Sequence, residues 1–180
     1  MSRDTVEVPR INLDSNGALI ITATPASSKH DFDFCEGKWK IRNKRLKSIF
    51  TECTDWSEFS STQETYRMLN GLGNIDKYLA EFDAKPFEGM TLRLFNTETN
   101  LWSIYWAHSN RGTLDPPLVG SFEKNIGYFY TRDAHKNKKI ITVFRWDTTD
   151  KNNPLWSRAF SLDNGQNWEW NWFMYFSRVH

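Results

Sequence analysis

The stretch Trp168-Glu-Trp-Asn-Trp-Phe-Met-Tyr-Phe-Ser-Arg178 admits few folds. At period two, one face carries Trp168, Trp170, Trp172, Met174, Phe176 and Arg178. The other carries Glu169, Asn171, Phe173, Tyr175 and Ser177. Helical periodicity does not gather the three alternate tryptophans, so they call for a long strand against a deep apolar interior. That strand is expected to help close a β structure.

The preceding segments agree. Trp39, Ile41, Asn43 and Arg45 alternate with Lys38, Lys40, Arg42 and Lys44, so the lysine-rich side is a solvated strand face and Trp39 and Ile41 point inward. Strand segments follow over 56–59, 61–69 and 75–82, with Asn70-Gly-Leu-Gly-Asn74 as a turn. Pro86 and Gly89 are expected to interrupt the chain before strands over 90–95 and 101–108, which Asn96 to Asn100 joins as a hairpin. Strands over 118–122, 127–131, 140–147, 155–161 and 168–179 complete the set. About ten strands with hairpin-length links predict an all-β, antiparallel up-and-down barrel, since closure removes the edges. A two-sheet sandwich is the alternative fold. The barrel domain spans 30–180. Residues 1–29, punctuated by Pro9, Pro25 and Ala26-Ser-Ser28, form an arm that is partly flexible or pairs with the barrel or with a second copy.

A net charge of +1 over 180 residues gives no overall excess to attract nucleic acid or a membrane surface. The longest apolar run near the start, Ala18-Leu-Ile-Ile21, is too short to span a bilayer. The mixed charges before it are the wrong flank for a signal peptide. Cys35 and Cys53 lack metal-site spacing and suit reduced thiols, so a cytoplasmic location is expected. Nine tryptophans within 16% aromatics are enough to fill a core or line a pocket, at roughly 150–250 Å² each.

Two features at the ends of the domain resemble the calycin superfamily, which includes lipocalins and fatty-acid-binding proteins. One is Gly37-Lys-Trp39, following a short helical turn that Asp31 is suited to cap. The other is Arg178 near the end of the last strand. A longer pattern resembles an uncharacterised lipocalin-like group: Asp31-Phe-Asp-Phe34, Asn70-Gly-Leu-Gly-Asn74, Trp102-Ser-Ile-Tyr-Trp106, Leu114-Asp-Pro-Pro117, Gly120-Ser-Phe122 and Asn171-Trp-Phe-Met174. The resemblance covers residues 31–178. It implies a calycin-like barrel in which Arg178 packs across Trp39 to close one end, and it implies no catalytic residues.

Ser161-Leu-Asp-Asn-Gly-Gln-Asn-Trp168 fits the Asp-box pattern also found in sialidase propellers. A single copy describes a hairpin, with Asp163 capping the turn, Gly165 at positive φ and Trp168 anchoring the next strand. The four histidines, His30, His108, His135 and His180, lack mutual ligand spacing, so no metal site is expected. No cofactor is expected either; a late histidine such as His180 is the one feature that would suit haem. Three arginines, Arg93, Arg145 and Arg158, alternate with aromatic or aliphatic residues. Inside a barrel each would need a carboxylate, a ring face or an anionic ligand.

These features favour a binding module for a hydrophobic or aromatic small molecule, with or without an acidic group. Its expected lining is Trp106, Trp146, Trp170, Trp172 and Met174, with Arg93 or Arg145 orienting an acidic group. The alternative is an isomerase or cyclase folding a small hydrophobic substrate, with His108 as acid or base and Tyr128 or Tyr130 as its partner. A third reading is a solidly packed barrel whose arm makes a homodimer.

Overall fold

A computed structural model describes residues 8–82 and 84–180. The arm holds a two-stranded ribbon, β1 (Asn12–Leu13) against β2 (Leu19–Ile20). After one 3-10 turn, Asp33–Cys35, come the ten strands of a closed antiparallel barrel. These are β3 (Gly37–Leu46), β4 (Trp56–Met68), β5 (Gly73–Phe82), β6 (Lys85–Asn96), β7 (Leu101–His108), β8 (Leu118–Glu123), β9 (Ile126–His135), β10 (Lys138–Asp147), β11 (Leu155–Ser161) and β12 (Glu169–Val179). Each pairs with its sequence neighbour, and β12 returns to β3, from Trp172 opposite Arg45 to Val179 opposite Lys38. The ring of strands is closed, with its shortest ladder between β7 and β8.

Several local expectations change. One strand runs from Trp56 to Met68, and β6 continues through both Pro86 and Gly89. Pro86 lies at the end of the ladder, opposite Glu81, where a missing N–H is tolerated. Gly89 lies beneath the Trp106 indole, where an added Cβ would overlap the ring. It makes room for a cross-strand aromatic rather than ending the strand.

The largest change is in β12. Arg158 pairs with Trp172, yet the next residue, Ala159, pairs with Trp170. Asn171 is therefore an extra residue, a β-bulge that reverses the alternation. Beyond it, Trp172, Met174 and Phe176 face the interior. Before it, Trp168 and Trp170 pack on Val143, Ala159 and Tyr130 on the outer wall.

The molecule consequently has two apolar regions. Inside, Phe32 from the turn before β3 plugs one end. Its ring stands edge-on to Trp102 at 4.9 Å and to Phe122 at 5.0 Å. Trp39, 2% exposed, donates its indole N–H to the Cys35 carbonyl at 2.7 Å. Arg178 lies 4.2 Å over the Trp39 ring and donates to the carbonyls of Phe34 (2.7 Å) and Glu36 (2.8 Å). This guanidinium ties the last strand to the plug. Asp31 does not cap the 3-10 turn; its carboxylate accepts from the Ser28 N–H.

Outside, the arm covers β8–β12. Val8 packs on the outer aromatic patch, and Thr24 hydrogen-bonds the Ser121 hydroxyl and the Phe122 carbonyl. The Asp-box hairpin forms as its chemistry requires. Asp163 accepts from the N–H groups of Gln166 and Asn167, Gly165 takes φ +85°, and the Trp168 indole N–H donates to the Gly165 carbonyl. Those donors hold the Asp163 carboxyl down at about 2. No described helix is long and apolar enough to cross a membrane.

Candidate functional site

Between the plugged end and the opposite rim lies a cavity of about 160 Å³. An engineered, apolar-lined cavity of about 150 Å³ admits benzene, so this volume suits one ring with short substituents. The wall is aromatic. Trp106, Trp146, Trp172 and Met174 line it, joined by Trp156 and Phe144, whose rings meet edge-on at 4.8 Å. Trp170 and Arg145 do not. The bulge turns Trp170 outward, where it stacks on Phe173 at 6.1 Å. Arg145 is out of phase with the inward Thr142, Phe144 and Trp146, and pairs with Asp147 at 3.0 Å.

Beside the cavity, opposite Met174, sits Asn43, fully buried on the inward face of β3. Its side-chain carbonyl accepts from Trp172 Nε1 at 3.0 Å and Tyr78 Oη at 3.4 Å, while its amide donates to Ser61 at 2.8 Å. This network fixes the Trp172 ring. Burial pushes the Tyr78 hydroxyl up, so it remains a proton donor at neutral pH.

Arg93 lines the deep end. Its Nη1 lies 2.8 Å from Asp76 and donates to Asn74 at 2.9 Å, and the guanidinium rests 5.4 Å over Phe32. Burial lifts the Asp76 carboxyl above its usual range, although Arg93 and the Thr91 N–H favour the anion. Arg93 Nε has no protein partner among the described residues.

The mouth carries different charges. Arg158 projects from β11 into the cavity, 4.6 Å over Phe160 and 5.1 Å over Trp172. Its Nε donates to the bulge residue Asn171 at 2.7 Å. Among the described residues no carboxylate forms an ion pair with it; Asp133 favours its charge from a distance. Burial and the neighbouring Arg45 lower it to about 9, which leaves it charged at neutral pH. Arg45, itself lowered by burial, also lies over Trp172, at 4.8 Å. Thr142 Oγ1, in the same wall, also lacks a partner among the described residues.

Two features frame the mouth. The β7–β8 ladder is short, from Trp102 opposite Gly120 to Ile104 opposite Leu118, so the upper half of β7 carries Trp106 beside a gap bordered by Asp115 and Pro116. The β3–β4 loop bends back until the Phe50 N–H meets the Glu169 carboxylate at 3.0 Å, with the Phe50 ring near His135 and Phe160. Phe50 sits at φ +60°, a conformation costing roughly 1–3 kcal/mol that the Glu169 bond offsets.

His108 stacks on Phe87 at 5.6 Å and does not line the cavity. Tyr128 and Tyr130 stack on each other on the outer wall, so neither serves as its partner. Among the described residues no group of three His, Cys, Asp or Glu side chains is placed to hold a metal. Arg158 is one of the three arginines that the sequence marks as needing a partner inside a barrel, and alternation could also have found Arg45. Each is in phase with inward aromatics on its own strand, and Asp76 is in phase with Asn74 and Tyr78. A comparison with models of known families finds none that matches this chain, and a comparison with curated protein sequences finds no match.

Proposed function

We propose that the barrel binds a small, largely apolar molecule, about one aromatic ring in size, through an acidic group received by Arg158. The observation that carries this reading is Arg158 itself: a cation facing an aromatic cavity, held in place by Asn171 and paired with no carboxylate among the described residues. An unpaired charge in such a setting costs several kcal/mol, and an anionic ligand would recover part of that cost. The aromatic wall supplies the apolar contact, and the volume limits the ligand to a single ring. The architecture also supports kinship with the calycins: a closed barrel plugged at one end, with Arg178 across Trp39.

The test is a calorimetric titration with 3-phenylpropionate and with its uncharged amide, on wild type and Arg158→Met. The carboxylate is expected to bind wild type, with affinity at least tenfold lower for Arg158→Met, the usual size of a charged hydrogen bond. The amide should bind both proteins weakly and alike. Equal binding of acid and amide by wild type would refute the reading.

A further inference from the structure

The deep end of the cavity holds a second recognition element, and its charge state limits what it can take. Arg93 is 3% exposed and its position is settled: Asp76 and Asn74 engage Nη1, and Phe32 lies beneath the guanidinium. Among the described residues its Nε–H has no acceptor, while the residue lines the cavity. A buried donor left unmade is costly, and a ligand atom offering a lone pair would satisfy it. Because Asp76 already balances Arg93, the deep end carries no spare positive charge. A second carboxylate there would be desolvated without a counterion. A neutral acceptor, hydroxyl or carbonyl, fits.

The spacing of the two ends adds a length. Arg158 pairs with Phe144 and reaches over Phe160, whose partner is Thr142; the Arg93 guanidinium is 6.0 Å from Trp146. Phe144 and Thr142 lie two and four residues from Trp146 on β10, which brackets the span at about 7–13 Å at the usual rise of about 3.3 Å per residue. A phenyl ring with a two-carbon acid chain and a hydrogen bond at each end spans such a gap. We propose that the ligand is bifunctional: a monocyclic aromatic acid whose carboxylate meets Arg158 and whose far end presents a neutral oxygen to Arg93 Nε. This rests on the binding reading above and narrows its ligand class.

The experiment compares three probes on wild type: 3-phenylpropionate, 3-(4-hydroxyphenyl)propionate and 3-(4-carboxyphenyl)propionate. The hydroxyl should improve affinity about tenfold, the size of a hydrogen bond from a charged donor. The second carboxylate should weaken it. In Arg93→Lys, which keeps a cation near Asp76 but loses Nε–H, the hydroxyl advantage should vanish. If this variant does not fold, the wild-type comparison decides alone. Equal affinity for the phenyl and hydroxyphenyl acids overturns the inference and leaves the Arg158 reading standing. Tightest binding by the dicarboxylate overturns the neutral-acceptor assignment. Binding of none of the three overturns both readings.

Discussion

Gly89 and Gly120 both lack a side chain because something else occupies its place, but the obstacles differ in kind. At Gly89 the space is filled by the far end of the Trp106 ring, a side chain that can swing. At Gly120 it is filled by the Tyr128 carbonyl across the β8–β9 ladder, which is backbone. A methyl group at Gly89 should therefore cost only about 1 kcal/mol, while one at Gly120 should cost about 3 kcal/mol or more by forcing strands apart. Urea denaturation midpoints of Gly89→Ala and Gly120→Ala would show the difference. Gly89→Ala should also push Trp106 into the cavity and weaken ligand binding. Equal costs would mean that the β8–β9 contact yields as easily as a ring. In the sequence, Gly89 reads as a break because the chain shows only a missing side chain, not the tryptophan seventeen residues later that fills its place.

At the level of the strand, the bulge at Asn171 decides which aromatics serve the cavity. Without it, Trp170 and Trp172 would share one face. Asn171→Ala keeps the extra residue but removes the acceptor for Arg158 Nε. It should lower stability by roughly 1–3 kcal/mol and weaken carboxylate binding, because Arg158 loses its anchor. Deleting Asn171 should instead leave a regular ladder, with Ala159 still opposite Trp170 and Arg158 opposite Trp172. That variant should fold with Trp172 still facing inward, readable as Trp fluorescence quenching by bound ligand. Full carboxylate affinity in Asn171→Ala would remove the bulge from the binding site. The alternation of β3 is legible in the sequence because lysines mark one of its faces. The phase change in β12 is not, because both faces are aromatic and no polar contrast marks where the pattern slips. Arg145 misleads for a related reason. Its face, with Ile141 and Val143, is as apolar as an interior, since the arm and Trp170 cover that side of the wall. Barrel, strand order and closing Trp39–Arg178 contact were all readable, whereas the inward set depended on register.

Across the whole molecule, Arg178 serves stability at the plugged end while the mouth receives the ligand's charge. At the plugged end two arginines are engaged: Arg178 with two carbonyls and Trp39, and Arg93, through Nη1, with Asp76 and Asn74. At the mouth, Arg45 and Arg158 both lie over Trp172 and repel each other, and Arg158 has no carboxylate ion pair among the described residues. Sites that bind are commonly less stable than they could be, since groups set for a ligand are poorly served without it. Arg178→Ala should therefore lose about 2 kcal/mol, from a cation–π contact and charged hydrogen bonds that are partly screened by water. For a domain of this size that lowers Tm by roughly 4–8 °C, with 3-phenylpropionate affinity unchanged. Arg158→Met should do the reverse, with Tm level or raised, since a poorly compensated cation is replaced by an apolar chain of similar length. At one ligand concentration, 3-phenylpropionate should raise the Tm of wild type and of Arg178→Ala by similar increments, because the stabilisation is set by the ratio of free ligand to Kd, and should leave Arg158→Met nearly unmoved. Thermal scans of the three proteins, each with and without ligand, test this division. If Arg158→Met melts as early as Arg178→Ala and still responds fully to ligand, the mouth arginine belongs to the scaffold, and recognition must be sought elsewhere on the wall.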